Sequence, residues 1–371
     1  MNQIVILGKE NLSVYHGLKE YGADSVHFIL TELTANMHLA ILEMLPRNLK
    51  WATYIVEPYD AHYVEKVCRE IHNEYPGDYI YNLSEGTKVM TIAALNVAKE
   101  HNAKALFISQ TGDVVNLVDF SVDTLKSTLS NEEILKVAGS RLWTYVNVKE
   151  LSYADIQSSN MIKRFIERNN NDYSRIQKFF RYECHRKIEQ LPDRFRINED
   201  LEVNTIRGSI RIYKNKKPVL ILNHPKSAFL MFGGRWWEAA VASQVKRWAE
   251  DRDHNIEAWQ SVVFQSVSDE SKVKNEVDIL INFNNHKLIF LECKSGFISQ
   301  DDVYKMNSVR DTYGGEDSIA GLASYYPLDP LIREKCDDLG IKVFAPSCER
   351  DVAQNIYTLH QWLDSIYPQE L

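Results

Sequence analysis

The sequence predicts an α/β protein of two domains. Residues 3–109 alternate short apolar strands with helical segments in strict order, the pattern of a parallel sheet covered by helices on both faces, a Rossmann-like domain. After about residue 120 that rhythm breaks and a long, charged helical stretch follows. An apolar hairpin at 276–296 then places three charges on one side of a second sheet. With 371 residues, 44% hydrophobic and 25% charged, the chain has material for two ordinary globular cores.

Taken in order, QIVILG (3–8) reads as a buried strand ending at Gly8, and KENLS (9–13) as a polar loop. A helix over 14–22 stops at Gly22, and SVHFIL (25–30) is the second strand. Thr34 or Asn36 caps a helix that runs to about Leu45, before Pro46. A strand at 51–57, a helix from about Asp60 to Glu74 and a strand at 78–83 follow. Ser84-Glu85-Gly86-Thr87-Lys88 is a sharp loop, Val89 to His101 an Ala-rich helix, and 103–109 a fifth strand. More strand and a helix at 131–138 lead to a domain boundary near 148. The second domain, 149–371, opens with a helical linker over 154–191, broken at Asn169-Asn170-Asn171. Residues 202–222 read as a hairpin with a basic turn, Lys214 to Lys217. Gly233-Gly234 opens a helix to about Glu250, and a strand covers 256–267. A helix at 300–310, a strand at 341–346 and a last helix at 351–366 complete the chain.

Composition excludes several classes. No run of about 18 apolar residues exists, so no membrane span is expected. The N-terminus enters a strand at once, without the basic region and cleavage site of a signal peptide. Five scattered cysteines with no CxxC pair fit a reducing cytoplasm, with neither zinc ribbon nor disulfide framework. A net charge of −8 argues against a protein that coats nucleic acid. A nuclease with a local basic groove remains compatible with it.

The 276–296 hairpin carries the chemistry. If Asn284-Asn285-His286 is a three-residue loop, Phe283 pairs with Lys287 and, counting outward, Asp278 meets Glu292. Glu292 and Lys294 share a face, with Cys293 pointing the other way. Two carboxylates facing each other in an apolar sheet call for a cation, and a hard divalent metal suits oxygen ligands. A two-residue loop would break this pairing, and a solvated strand edge is the alternative reading of the charges, which strands apolar on both faces make harder to sustain. Upstream, NLSEGTKVM (82–90) joins a strand to a helix at the carboxyl edge of the first sheet, where free N–H groups and a positive dipole end suit phosphate. It is neither GxxxxGK[ST] nor GxGxxG, and by itself it also reads as a helix cap with a solvated lysine.

The set Asn82, Ser84, Glu85, Gly86, Thr87, Lys88 and Met90 resembles the signature of CARF domains, sensors of cyclic oligoadenylate in type III CRISPR systems. The family's usual second glycine is Glu85 here. The resemblance implies ligand contacts from Asn82 to Lys88 and from a second loop holding Asn11 and Ser13. It also implies a homodimer with a two-fold symmetric ligand on its axis, and cyclic tetra-adenylate fits best.

Asp278, Glu292 and Lys294, in D-x13-E-x-K spacing, resemble the PD-(D/E)xK core of restriction-endonuclease-like domains. Glu238 matches a Glu in that fold's first helix, and Tyr313-Gly314-Gly315 follows downstream. The whole resembles CRISPR ancillary nucleases that fuse a CARF sensor to this fold. That resemblance implies that Asp278, Glu292 and the Cys293 carbonyl hold Mg²⁺ or Mn²⁺, with Glu238 joining directly or through water. Lys294 would orient the attacking water. The expected substrate is nucleic acid: single-stranded DNA or RNA, or duplex DNA that is nicked.

Trp236 and Trp237 could stack on bases, though adjacent aromatics at a helix start are more often core. The basic turn could touch phosphates, and a solvated turn is the blander reading. Arg310, Asp311 and Tyr313 are candidates for supporting the active site. Two other functions fit the sequence: a non-catalytic CARF regulator, and a constitutive repair or restriction nuclease. Whether the sensor also degrades its ligand is open.

Overall fold

The computed structural model describes residues 1–109, 112–251, 256–266, 272–283, 287–314, 318–345 and 358–366. The first domain runs β1 (Asn2–Ile6), α1 (Leu12–Tyr21), β2 (Ser25–Leu30), α2 (Met37–Leu42), β3 (Lys50–Ile55), α3 (Ala61–Glu74), β4 (Tyr79–Asn82), α4 (Lys88–Glu100) and β5 (Lys104–Ile108). Two short antiparallel strands, β6 (Asp113–Asn116) and β7 (Val122–Thr124), extend the edge. The order in the sheet is β3-β2-β1-β4-β5-β6-β7, with β1 to β5 parallel. Chain order reverses between β1 and β4, so the loops after these two strands meet at the carboxyl edge. That is the switch point where open α/β sheets take ligands.

The chain then forms α5 (Asn131–Val137), β8 (Leu142–Asn147) and α6 (Tyr153–Tyr182). β8 is hydrogen-bonded into the second sheet, so sheet membership changes ahead of the boundary expected near 148. The expected linker helix is not a tether: Ile162, Phe165, Ile166, Tyr173, Ile176 and Phe180 of α6 are buried in the second core. It ends at Tyr182 rather than near 191, and its backbone breaks at Asn169 (φ −138°, ψ 42°), within the expected Asn run. Likewise 202–222 is more than a hairpin. β9 (Arg194–Arg196), β10 (Leu201–Asn204), β11 (Ile210–Lys214) and β12 (Lys217–Leu222) make a four-stranded antiparallel sheet. Asn215 and Lys216, both at positive φ, form its last turn.

The second domain continues with α7 (Ser227–Phe232), α8 (Arg235–Glu250), β13 (Glu257–Gln265), β14 (Val273–Phe283), β15 (Lys287–Lys294), α9 (Gln300–Tyr313), β16 (Ile319–Ser324), α10 (Pro330–Asp338), β17 (Lys342–Phe344) and α11 (Leu359–Ile366). Its six-stranded sheet has the order β17-β16-β15-β14-β13-β8. Ile279, Ile281, Ile289 and Leu291 face a core filled by Trp236, Trp237 and Trp248 of α8. The alternate residues Leu280, Leu288 and Phe290 face a cluster that also contains Val5, Leu7, Val14 and Phe28 of the first domain. The two domains therefore share one buried apolar cluster, sealed by Asn282 Nδ2 donating to the Leu129 carbonyl (2.7 Å). Among the described residues no helix is long and apolar enough to cross a membrane.

Candidate active site

The β14–β15 ladder pairs Phe283 with Lys287, Asn282 with Leu288, Leu280 with Phe290 and Ile279 with Leu291. This is the register expected from a three-residue loop; Asn284, Asn285 and His286 themselves lie outside the described residues. The ladder stops one step short of Asp278 and Glu292. There the Cys293 N–H, which would otherwise face a backbone carbonyl, donates to Asp278 Oδ2 (2.7 Å). On the other side of β14, Ser261 is the residue opposite Asp278. It drops out of the β13 ladder and takes φ 51°. The sheet is thus opened on both flanks of Asp278, as at a bulge.

Three carboxyl groups converge on that opening. Burial, then Glu292 and Glu238, push the Asp278 carboxyl well above its ordinary range, against the lowering by the Cys293 N–H. Glu238 lies in the first turn of α8, whose start is set by Gly234 at φ 79°. Burial, Glu276 and Glu292 outweigh the lowering by Arg235 and raise Glu238 to about 7. Two buried acids whose proton affinities are raised beside further carboxylates mark a site short of positive charge.

Lys294 supplies some of it. Its Nζ lies 2.9 Å from Glu292 Oε1 and 3.2 Å from Asp302 Oδ1. Burial would lower this ammonium, but Glu292 and Asp302 overcome that and raise it. Asp302 was not expected from sequence. It closes the capping box of α9: its Oδ2 accepts from Ser299 N–H (2.9 Å) and Oγ (2.7 Å). The Ser299-x-x-Asp302 spacing, just after Lys294, is the signal that could have found it.

Cys293 points into the core, as alternation requires. Trp236 and Trp237 are core residues and offer no face to a base. Trp237 Nε1 donates to the Ala323 carbonyl (2.8 Å), tying α8 to β16. Tyr313 lies in the interdomain cluster, stacked on Phe264 at 3.8 Å, and Arg310 is held by Asn307, Asp311 and the Leu339 carbonyl. Gly315 lies outside the described residues. In the basic turn, Lys214 pairs with Asp172 (2.6 Å). Among the described residues, no three His, Cys, Asp or Glu side chains are grouped closely enough to enclose a metal ion.

At the switch point, most of the expected ligand residues spend their side chains on the protein. Asn11 exchanges two hydrogen bonds with the Gly8 backbone (both 3.1 Å). Asn82 Nδ2 donates to the Ser13 and Val14 carbonyls, and its Oδ1 accepts from Ser84 Oγ (2.6 Å). Ser84 Oγ in turn accepts from Ile108 N–H (2.9 Å). Thr87 caps α4, accepting from Met90 N–H (3.2 Å) while donating to the Pro58 carbonyl (2.6 Å). Gly86 sits at φ 92°. Lys88 is exposed at the first turn of α4. Glu85 leans over Gly8, where any Cβ would strike its carboxylate. Burial and then Glu10 raise Glu85 to about 7, with Gly86 N–H opposing. Asn11, Ser13 and Glu85 line a cavity of about 220 Å³, closed on the far side by Asp311 to Gly314 at the end of α9.

Residues 226–362 match a family model described as Card1-like, endonuclease domain. The match lies within the second domain, and the first domain is outside it. Glu238, Asp278, Glu292, Lys294 and Asp302 all fall within the matched segment. Among solved structures, Can2 from Sulfobacillus thermosulfidooxidans, in complex with cyclic tetra-adenylate, is 18% identical, with a TM-score of 0.74 over 99% of both chains. Protein VC1899 from Vibrio cholerae is 16% identical, with a TM-score of 0.76 over 98% of both. A type III CRISPR defence DNA nuclease activated by cyclic oligoadenylate is 13% identical, with a TM-score of 0.57 over 96% of this chain and 52% of its own. No curated protein matches the sequence.

Proposed function

We propose that this chain is a cytoplasmic endonuclease of type III CRISPR antiviral defence, switched on when cyclic tetra-adenylate binds its N-terminal sheet. One observation carries the reading: α9 touches both sites. Its first turn holds Lys294 through Asp302, and its last residues close the cavity lined by Asn11, Ser13 and Glu85. With 14 residues it spans about 21 Å. A ligand that displaces the end of α9 therefore acts on the Asp302–Lys294 contact. The complex of Can2 with cyclic tetra-adenylate and the ligand-activated nuclease among the structural neighbours support the same reading.

Asp278, Glu238 and Glu292, with the Cys293 carbonyl, would hold Mg²⁺ or Mn²⁺, and the raised proton affinities of Asp278 and Glu238 suit a divalent cation. When bound, the ion would acidify water and neutralise phosphate charge. Lys294 has one role of its own: released from Asp302, its ammonium donates to the attacking water or to the developing phosphorane charge. Asp278 keeps the β15 backbone open by holding the Cys293 N–H. On the sensor side, Lys88 and the exposed Gly86 backbone meet the ligand, while Asn11, Asn82, Ser84 and Thr87 hold the loops in shape. A homodimer would place two such loops across a two-fold axis, and the exposed Tyr59, Tyr63 and Ile92 on and beside α3 and α4 suit an interface.

The test is cleavage of labelled single- and double-stranded DNA and RNA, in Mn²⁺ or EDTA, with and without cyclic tetra-adenylate. Cleavage of single strands, or nicking of duplex, should require both additions. Equal cutting without the ligand overturns the switch, and no cutting of any substrate overturns the nuclease.

A further inference from the structure

A groove lies beside the segments that carry the candidate active site. It encloses about 780 Å³ between the second half of α6, the start of α8 and the segments that follow β15 and β16. Its floor includes Gly233 and Gly234, which lead into the helix of Glu238, and Ser295 and Gly296, which directly follow Lys294. The groove is thus bordered by the segments that lead into Glu238 and out of Lys294.

Its walls are unusual for this protein. The chain as a whole carries −8, yet Arg181 and Arg186 both face the groove, exposed, and neither forms an ion pair with a described residue. Asp329 is the one acidic residue among the lining side chains, and its Oδ1 accepts from Leu331 N–H (2.9 Å) as the cap of α10. Arg186 is held at φ 60°, directly after His185 at φ 47°. Two consecutive non-glycine residues in the left-handed region cost folding energy, and such strain collects where a side chain must be aimed.

The aromatic lining points the same way. Phe297 is 86% exposed on the loop after β15, anchored by its buried neighbour Ile298. Tyr326 stands across the groove, its Oη donating to Asn170 Oδ1 (3.1 Å). An exposed Phe that lines the same groove as two guanidinium groups, neither ion-paired among the described residues, contributes nothing to the core. It does match the alternation of flat apolar bases and anionic phosphates along a single strand. Bases in a duplex hide their faces in the stack, so only an unpaired base can meet Phe297.

We propose that this groove is the strand-binding subsite: unpaired DNA or RNA enters with a base stacked on Phe297 and adjacent phosphates on Arg181 and Arg186, and leads its next phosphate to Glu238 and Lys294. The proposal rests on the nuclease reading, but its test is of binding alone. Fluorescence anisotropy of oligothymidylate, oligouridylate and a short DNA duplex would be measured on the full chain. Each is run in EDTA and in Ca²⁺, with and without cyclic tetra-adenylate.

Phe297→Ala should weaken single-strand binding about 5- to 100-fold, and Phe297→Trp should restore it. The Arg181→Ala, Arg186→Ala double variant should lower the log–log salt slope by roughly 1.4, at about 0.7 per phosphate on a single strand. All three positions are exposed, so melting temperatures should stay at the wild-type value. A loss confined to oligothymidylate or to oligouridylate supports the subsite and names its sugar. Unchanged affinity and salt slope in both variants overturn it, as does a wild type that binds no single strand under any of these conditions. Normal cleavage by variants that bind normally refutes the groove and leaves the nuclease standing. Binding that depends on Phe297, in a chain that never cuts, does the reverse.

Discussion

The two sites are built on opposite principles. At the switch point of the first sheet, Asn11, Asn82, Ser84 and Thr87 have their polar atoms satisfied before any ligand arrives. That site is a finished scaffold presenting two exposed lysines, Lys9 and Lys88, and a backbone loop. At the opening beside Asp278, the charges are in excess of their partners. Burial and neighbouring carboxylates raise the proton affinities of Asp278 and Glu238, and the nearby ammonium is divided between Glu292 and Asp302. A satisfied site can recognise without reorganising. A frustrated one gains most when a cation and a phosphate arrive, and is the natural end to control.

The largest effect should come from removing the charges at the frustrated end. Glu292→Ala or Lys294→Ala should lower ligand-stimulated cleavage by at least about 100- to 1000-fold. Calorimetric binding of cyclic tetra-adenylate should be retained in both. A variant that loses ligand binding along with cleavage would erase the distinction between the ends. Asp302→Asn tests the link between them. It weakens the hold on Lys294 while an amide oxygen remains to accept from Ser299, so ligand-free cleavage should rise several-fold and the stimulation ratio fall. An unchanged ratio in multiple-turnover assays would remove α9 from the coupling.

Within the finished scaffold the contrast is between shape and contact. Asn82→Ala strands the hydrogen bonds of Ser84 and the Ser13–Val14 backbone, and should lower stability by about 1–3 kcal/mol. Lys88→Ala leaves no buried group unpaired. Thermal melting should barely register it, while calorimetry shows ligand affinity falling roughly tenfold as a charge-assisted contact is lost. If Asn82→Ala melts like the wild type but Lys88→Ala does not, the assignment of shape and contact is reversed.

Much of this was legible in the sequence, and the residues show why. The five parallel strands follow from strict alternation of apolar and helical periods, and Asp278 was placed beside Glu292 by counting outward from one turn. That count worked because strand register is a whole-number property fixed by loop length. What sequence could not give was partner choice over distance. No strand is read from the sequence over Leu142–Asn147, and only pairing with β13 makes β8 a strand of the second sheet. The same holds for Asn82 and Ser84. Their residue types suited a phosphate, but the fold brought the Ser13 carbonyl and the Ile108 N–H within reach first. Trp236 and Trp237 were settled by which face of α8 meets the sheet.

The smallest expected effect concerns Glu85, a half-buried carboxyl in the scaffold whose hydrogen bond from Gly86 N–H does not offset its burial. Burial and Glu10 hold it at about 7 rather than 4.5. The sign follows from linkage. A carboxyl whose folded value is raised contributes no penalty below its unfolded value, and progressively destabilises the fold as pH rises through about 7. The wild type should therefore melt slightly lower at pH 8 than at pH 6, and Glu85→Gln should flatten that difference. Ligand binding should follow the same curve, because a neutral carboxyl tolerates a neighbouring phosphate and an ionised one repels it. Affinity for cyclic tetra-adenylate should fall a few-fold from pH 6 to pH 8 in the wild type and stay level in Glu85→Gln. Parallel pH profiles for the two proteins, in both melting and calorimetry, would show that Glu85 is already satisfied and that the first site is a finished scaffold throughout.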